Sequence, residues 1–291
     1  MHDGFLTYQN MKFLKMAAVL CVVAVVAYVW YQPIDEHNGG TWLGYTLGTI
    51  GALLILWLTW LGIRKRRYGA NFRLSAWVSA HVYLGLSLIV IATLHTGFQF
   101  GWNVHTLAYV LMMLVIISGG FGIYAYSRYP KVMSENRRGS SLDDLLAQIG
   151  DIDRECRQIA APLPDSVAEL VVQSCEHTKI GGSLLRILSG KDNSCGSTAA
   201  FERLRTHVSE VEQEHAQATR KLLVLIGKKC GLLTTVRRDI QLKAFMDIWL
   251  RVHVPMTVAL LAALVIHIFS YRMGPLVIGM ASGASCRCQL L

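Results

Sequence analysis

Several chemistries are missing from this chain before any are found in it. Its seven cysteines, at positions 21, 156, 175, 195, 230, 286 and 288, form no CxxC pair and no CxxCH run. That spacing excludes zinc ribbons, iron–sulfur ligation of the usual type and covalently attached c-type haem. No glycine-rich nucleotide loop occurs, and there is neither an internal repeat nor a low-complexity stretch. Charge is scarce as well: 16% of the 291 residues are charged and 53% are hydrophobic. The charged residues are nearly absent from several windows of about twenty residues and crowd into one long stretch between them, which a soluble core does not require. The net charge of +9 does not point to nucleic acid, because the basic residues lie beside apolar segments without an aromatic-interleaved face.

Five apolar segments, 13–31, 43–63, 75–98, 104–126 and 249–271, are long enough to cross a bilayer as helices. The first resembles a signal peptide. Its run is long for that role and no A-x-A site follows, so it reads as a retained anchor. The expected fold is therefore all-α and integral to a membrane, with membrane lipid as its solvent. The segments divide it into an N-terminal anchor and outer loop (1–42), three bundle helices (43–127), a helical insert (128–248), a fifth span (249–271) and an outer tail (272–291).

Lysine and arginine in short loops set the orientation. Segment 64–73 carries Arg64, Lys65, Arg66, Arg67 and Arg73, whereas 32–42 holds only Asp35 and Glu36 and 99–104 holds no charge. The N-terminus and the insert are then expected on the cytoplasmic side, and the C-terminus outside. Within the insert, Ser140 and Ser141 before Asp143 and Asp144 signal a helix start, 198–229 reads as one extended charge-rich helix, and 189–197 separates it from the helices before. The insert reads as a docking or packing domain able to contact a cytoplasmic subunit. Arg237, Arg238 and Lys243 suit such a partner or anionic lipid.

Four histidines carry the chemistry. His81 and His95 on the third span, and His253 and His267 on the fifth, are each fourteen residues apart. Fourteen residues make nearly four helical turns, so each pair lies on one face, ~21 Å apart along the axis. The two spans run in the same direction, which sets His81 opposite His253 and His95 opposite His267 at two depths. Polar groups in lipid need a reason. Two imidazoles fill both axial positions of a haem iron and leave it to transfer electrons. Single intramembrane histidines also serve as hydrogen-bonding or proton-carrying residues, so a proton-handling or metal-ion transporter is the competing reading.

Glycines support the haem reading, since a flat macrocycle between helices needs close approach to backbone. Gly48 and Gly62 on the second span are also fourteen apart, and Gly119 and Gly120 on the fourth lie at the inner level. Arg73 and Arg251 stand where inner propionates would emerge, although positive-inside anchoring explains them equally. His105 opens the fourth span near the outer site, where it could bind a quinone head group, contact a propionate or replace His95 as ligand.

Residues 43–127 and 249–271 together resemble the bis-histidine di-haem membrane cytochrome b architecture. That architecture is shared by quinol-oxidising cytochrome b, the membrane domains of ferric reductases and NADPH oxidases, and small bacterial b-type cytochromes that anchor respiratory oxidoreductases. The resemblance implies two haem b groups held by His81, His95, His253 and His267. It further implies electron exchange between quinone or quinol and a partner such as a periplasmic or membrane-bound cytochrome c or iron–sulfur protein, in a bacterial inner membrane. No flavin or NADPH domain is seen after the last span, and a transmembrane metalloreductase, which would require a flavin site, is the second alternative. The large insert departs from the quinol-oxidising proteins. The terminal Cys288-Gln-Leu-Leu matches a prenylation pattern, but an outer tail is beyond reach of the enzymes that read it.

Overall fold

The computed structural model describes residues 5–33, 36–67, 74–190, 195–207 and 213–285. Among these the regular structure is all helical, without strands. After a short 3-10 turn at Phe5–Thr7 come α1 (Tyr8–Trp30), α2 (Trp42–Arg67), α3 (Leu74–Thr96) and α4 (Val104–Arg137). They are followed by α5 (Leu142–Ala160), α6 (Asp165–Glu176), α7 (Leu184–Ser189), α8 (Gly196–His207) and α9 (Gln213–Ser285). Five helices, α1, α2, α3, α4 and α9, are long and apolar enough to cross a membrane.

The chain divides into two compact units, Met1–Ile123 with Leu250–Leu291, and Tyr124–Trp249. In the first, α3 packs against both α1 and α2. One apolar cluster joins Ala17, Ile55, Leu58, Ala80, Leu84 and Leu88 to Met112 of α4 and Leu260 of α9. A second joins Ala24, Leu43, Leu47, Ile91 and Leu94. The buried residues of α1 are its alanines, 17 and 24, because small side chains let backbones approach where lipid offers no hydrophobic drive for association. Its valines point the other way: Val19, Val22, Val23 and Val26 are all more than half exposed, as are Leu53, Leu56, Ile117, Val258 and Val265. An uncharged apolar belt of this kind is suited to hydrocarbon, where the helix satisfies its own backbone. Trp30, Trp42 and Trp102, at the ends of α1, α2 and the loop before α4, are strongly exposed, the placement of an interfacial aromatic belt.

The second unit has its own core, in which Cys156, Leu163, Val167, Val171, Leu204, Leu222 and Ile226 are buried together. The expected helix start is present as a capping box: Ser141 Oγ accepts from the Asp144 N–H, and the Asp144 carboxylate accepts from the Ser141 N–H. Lys229 of α9 is fully buried; its Nζ donates to Asp153 Oδ1 at 2.6 Å and to the Ser174 carbonyl at 2.6 Å. Arg137 of α4 pairs with the buried Asp239 of α9. The single charge-rich helix expected over 198–229 falls instead on two elements, α8 ending at His207 and α9 beginning at Gln213.

Some sequence expectations lie outside the described residues: Asp35, Arg73, Cys286 and Cys288, and part of the 189–197 stretch.

Candidate functional site: a histidine cluster at one end of the spans

The geometry is fullest around His95. The turn leading into α2 is built by short-range bonds. Thr41 Oγ1 donates to the Asn38 carbonyl at 2.9 Å and accepts from the Gly44 N–H at 3.1 Å, which fixes the first turn of the helix. The Gly44 carbonyl then accepts from His95 Nδ1 at 2.7 Å. A carbonyl can only accept, so this bond places the His95 proton on Nδ1 and leaves the lone pair on Nε2.

Two glycines press on the same ring. A Cβ on Gly48 would fall 2.6 Å from His95 Cε1 and 2.8 Å from its Nδ1, and one on Gly39 would fall 3.1 Å from Cε1. Gly48 therefore makes room for the imidazole itself. Beside Gly48, α2 and α3 approach so closely that the His95 ring itself lies against the bare backbone. Above it, Gly97 adopts φ of 59° and abuts the His37 carbonyl, where a Cβ would be 2.0 Å away. His37 in turn stacks on Tyr28 with ring centres 4.2 Å apart.

His267 of α9 meets His95 with ring centres 5.9 Å apart and planes 71° from parallel. His105, on the first turn of α4, lies closer still, with its Nδ1 2.6 Å from His267 Nδ1 and ring centres 4.5 Å apart. Three histidines from three helices are thus gathered at one end of the first unit. His105 is exposed, whereas His95 and His267 are half-buried.

At the other end of the spans, His81 and His253 lie within electrostatic range of each other. His81 Nδ1 is buried without a hydrogen-bond partner, with the Leu58 backbone beside the ring. His253 Nδ1 is 3.2 Å from Ser118 Oγ. Gly119 sits next to that ring at ordinary contact distance, 3.8 Å from an added Cβ to Cε1, and Gly120 opens on free space. Gly62 is within α2, but its surroundings lie outside the described side chains. Arg251 is exposed.

His95 and His267 are in ring contact and acquire a third member, whereas His81 and His253 are linked only by electrostatic proximity. Sequence reasoning missed the Gly44 carbonyl, the Gly39 loop and the bond between His105 and His267. The first had a signal available, since Gly44 and Gly48 form a small-xxx-small step on α2.

One spacing is compatible with a haem. Metal–imidazole bonds of about 2 Å, with about another ångström from nitrogen to ring centre, set two trans rings roughly 6 Å apart. The 5.9 Å between His95 and His267 matches that. His81 Nδ1 is buried without a hydrogen-bond partner, so its ring lacks the hold from behind that His95 has. Among the described residues no group of three or more His, Cys, Asp or Glu is arranged to hold a bare metal ion. Comparison with protein-family models, curated proteins and solved structures found no match.

Proposed function

We propose that this protein is a membrane di-haem b-type cytochrome. It would relay electrons across the bilayer between the quinone pool and a redox partner protein, as a subunit of a respiratory electron-transfer complex. The observation that carries the reading is the anchoring of the histidines from behind. Nδ1 of His95, His253 and His267 each meets a polar partner, namely the Gly44 carbonyl, Ser118 and His105. Metal-bound histidines are held in this way, because the bond at one ring nitrogen fixes the tautomer and directs the other nitrogen's lone pair at the metal. Neither histidine group is arranged to hold a bare ion among the described residues, whereas two imidazoles complete the coordination of an iron porphyrin.

When bound, haem supplies reversible one-electron chemistry. The protein's part is to hold and space the two sites. His81 and His253 would ligate one haem, His95 and His267 the other, with Gly48 and Gly39 keeping the His95 ring from turning. Basic residues at 64–67, the last of α2, favour that end of the span on the cytoplasmic face of a bacterial inner membrane, with the N-terminus inside and the C-terminus outside. The resemblance to bis-histidine cytochromes b supports the same assignment. The outer partner would be a cytochrome c or an iron–sulfur protein, and the Tyr124–Trp249 unit would serve as a docking surface for a cytoplasmic subunit.

A second reading, proton handling, is favoured by one contact, the direct imidazole–imidazole bond of His105 and His267. A dithionite-reduced minus oxidised spectrum of the purified chain separates the two. The expected result is a bis-histidine b-type α band with haem to protein near two. His81→Ala or His253→Ala should remove one haem, and His95→Ala or His267→Ala the other. A protein purified intact without haem would leave the proton-handling reading in place.

A further inference from the structure

Between neutral rings, the contact of His105 with His267 has two chemically allowed forms. Their Nδ1 atoms lie 2.6 Å apart, so one must donate and the other accept. In the first form His105 donates, and a neutral His267 carries its own proton on Nε2, with no lone pair left for a metal. In the second His267 donates from Nδ1, its Nε2 lone pair is available, and His105 carries its proton on Nε2.

The surroundings favour the second form. Across the cluster His95 already donates from Nδ1 to the Gly44 carbonyl at 2.7 Å, and its ring meets His267 at the 5.9 Å centre-to-centre distance suited to a trans pair. A matched couple requires the same tautomer on both rings. The near-perpendicular packing of His105 on His267, 82° between planes, brings His105 in edge-on at Nδ1, as a partner behind the ring. This geometry also disfavours His105 as a replacement for His95, since its near nitrogen is already committed to His267.

Resting on the di-haem reading, we propose that His105 is a positioning residue for the outer haem: it accepts the Nδ1–H of His267, fixing that ring's tautomer and rotation. An acceptor at Nδ1 makes the imidazole a more basic ligand, which favours ferric over ferrous iron. The inner site has less of this support, since His81 Nδ1 is without a hydrogen-bond partner. The outer haem is therefore held at the lower potential by its ligand set, and His105 contributes to the difference.

The test uses the full-length protein in detergent. His105→Phe keeps a ring but removes the acceptor, and His105→Gln restores an acceptor oxygen. Potentiometric titration of His105→Phe should show both haems retained. At fixed potential the oxidised-to-reduced ratio of the outer haem should fall about tenfold, equivalent to 59 mV for one electron, with the inner haem unchanged. His105→Gln should recover most of the shift. Loss of the outer haem in His105→Phe alongside its retention in His95→Ala would make His105 the ligand and overturn the proposal. An unchanged outer potential in His105→Phe would overturn it equally. Should the parent protein hold no haem, the di-haem reading fails, and nitrogen NMR of His267 still decides the inference. A proton on Nδ1 that is disturbed in His105→Phe supports it, whereas a proton on Nε2 refutes it.

Discussion

Gly48→Ala is the most discriminating single change in the bundle. The added methyl falls 2.6 Å and 2.8 Å from two atoms of the His95 ring, and that ring cannot swing away cheaply. Its Nδ1 is tied to the Gly44 carbonyl, and Ile91 and Leu94 on the same helix are buried. Overpacking a fixed contact costs about 1–3 kcal/mol, and loosening the hydrogen bond adds about 1 kcal/mol. Replacing a helical glycine by alanine returns about 0.5–1 kcal/mol. The net is about 2 kcal/mol, or roughly a thirtyfold weakening of whatever depends on His95. Gly51→Ala is the matched control on the same helix, because the nearest atoms to its added methyl, Ile91 Cγ2 at 3.7 Å and Leu88 Cδ2 at 4.0 Å, are at ordinary contact distance. The assay is haem stoichiometry from difference spectra, together with thermal unfolding by circular dichroism in detergent. Gly48→Ala should lose the outer haem selectively and melt lower, while Gly51→Ala should keep both haems and match the parent. Full haem content and an unshifted melting curve for Gly48→Ala would show that His95 does not lie against α2.

Two further outcomes concern the Tyr124–Trp249 unit. Lys229→Met removes the cation from Asp153 and Ser174 and strands a carboxylate that is 24% exposed. The cost should be about 2–3 kcal/mol, below the range for a fully buried pair, read as increased protease sensitivity of the full chain; unchanged resistance would mean that the pair is not formed. Burial, with help from Cys175 and Asp153, pushes the Cys156 thiol up to about 12 from its usual 9.0. The neutral thiol is thus favoured in the folded state, and this contribution is intact below pH 9 and lost as pH rises toward 12, at about 1.4 kcal/mol per unit. Cys156→Ala should flatten the alkaline limb of a stability-versus-pH curve, and an equally steep limb would assign the loss to other groups.

The features legible in the sequence are those written in local runs. Twenty apolar residues announce a span without any knowledge of neighbours, and all five helices appear where hydropathy places them. Their ends are less legible, because hydropathy marks the hydrocarbon and not the helix. α4 continues through Pro130 to Arg137, and α9 extends from Gln213 to Ser285 around a span expected over 249–271. The fourteen-residue spacing gave the depths of the histidines, since helical rise is fixed. It could not give the bond between His105 and His267, which are 162 positions apart and whose meeting depends on how α4 and α9 are rotated about their axes. Lys229 was hidden for a related reason. In a charge-rich helix every lysine looks solvated until the facing side chains, here Asp153 and Ser174, are known.

The bond at His95 bears on which of the two functional readings is physically easier. A proton carrier must take a proton at one ring nitrogen and release it from the other, then return to its starting tautomer, which requires a ring that can turn or exchange partners. His95 is poorly placed to do so. A backbone carbonyl holds its Nδ1–H, Gly48 and Gly39 confine the ring edge, and releasing the Nδ1 proton would leave the Gly44 carbonyl facing a lone pair. A metal ligand needs the opposite qualities, one tautomer and one orientation. The confinement that hinders proton carriage is what an axial imidazole requires, so the same contacts that make Gly48→Ala costly weigh toward electron transfer at this end of the bundle.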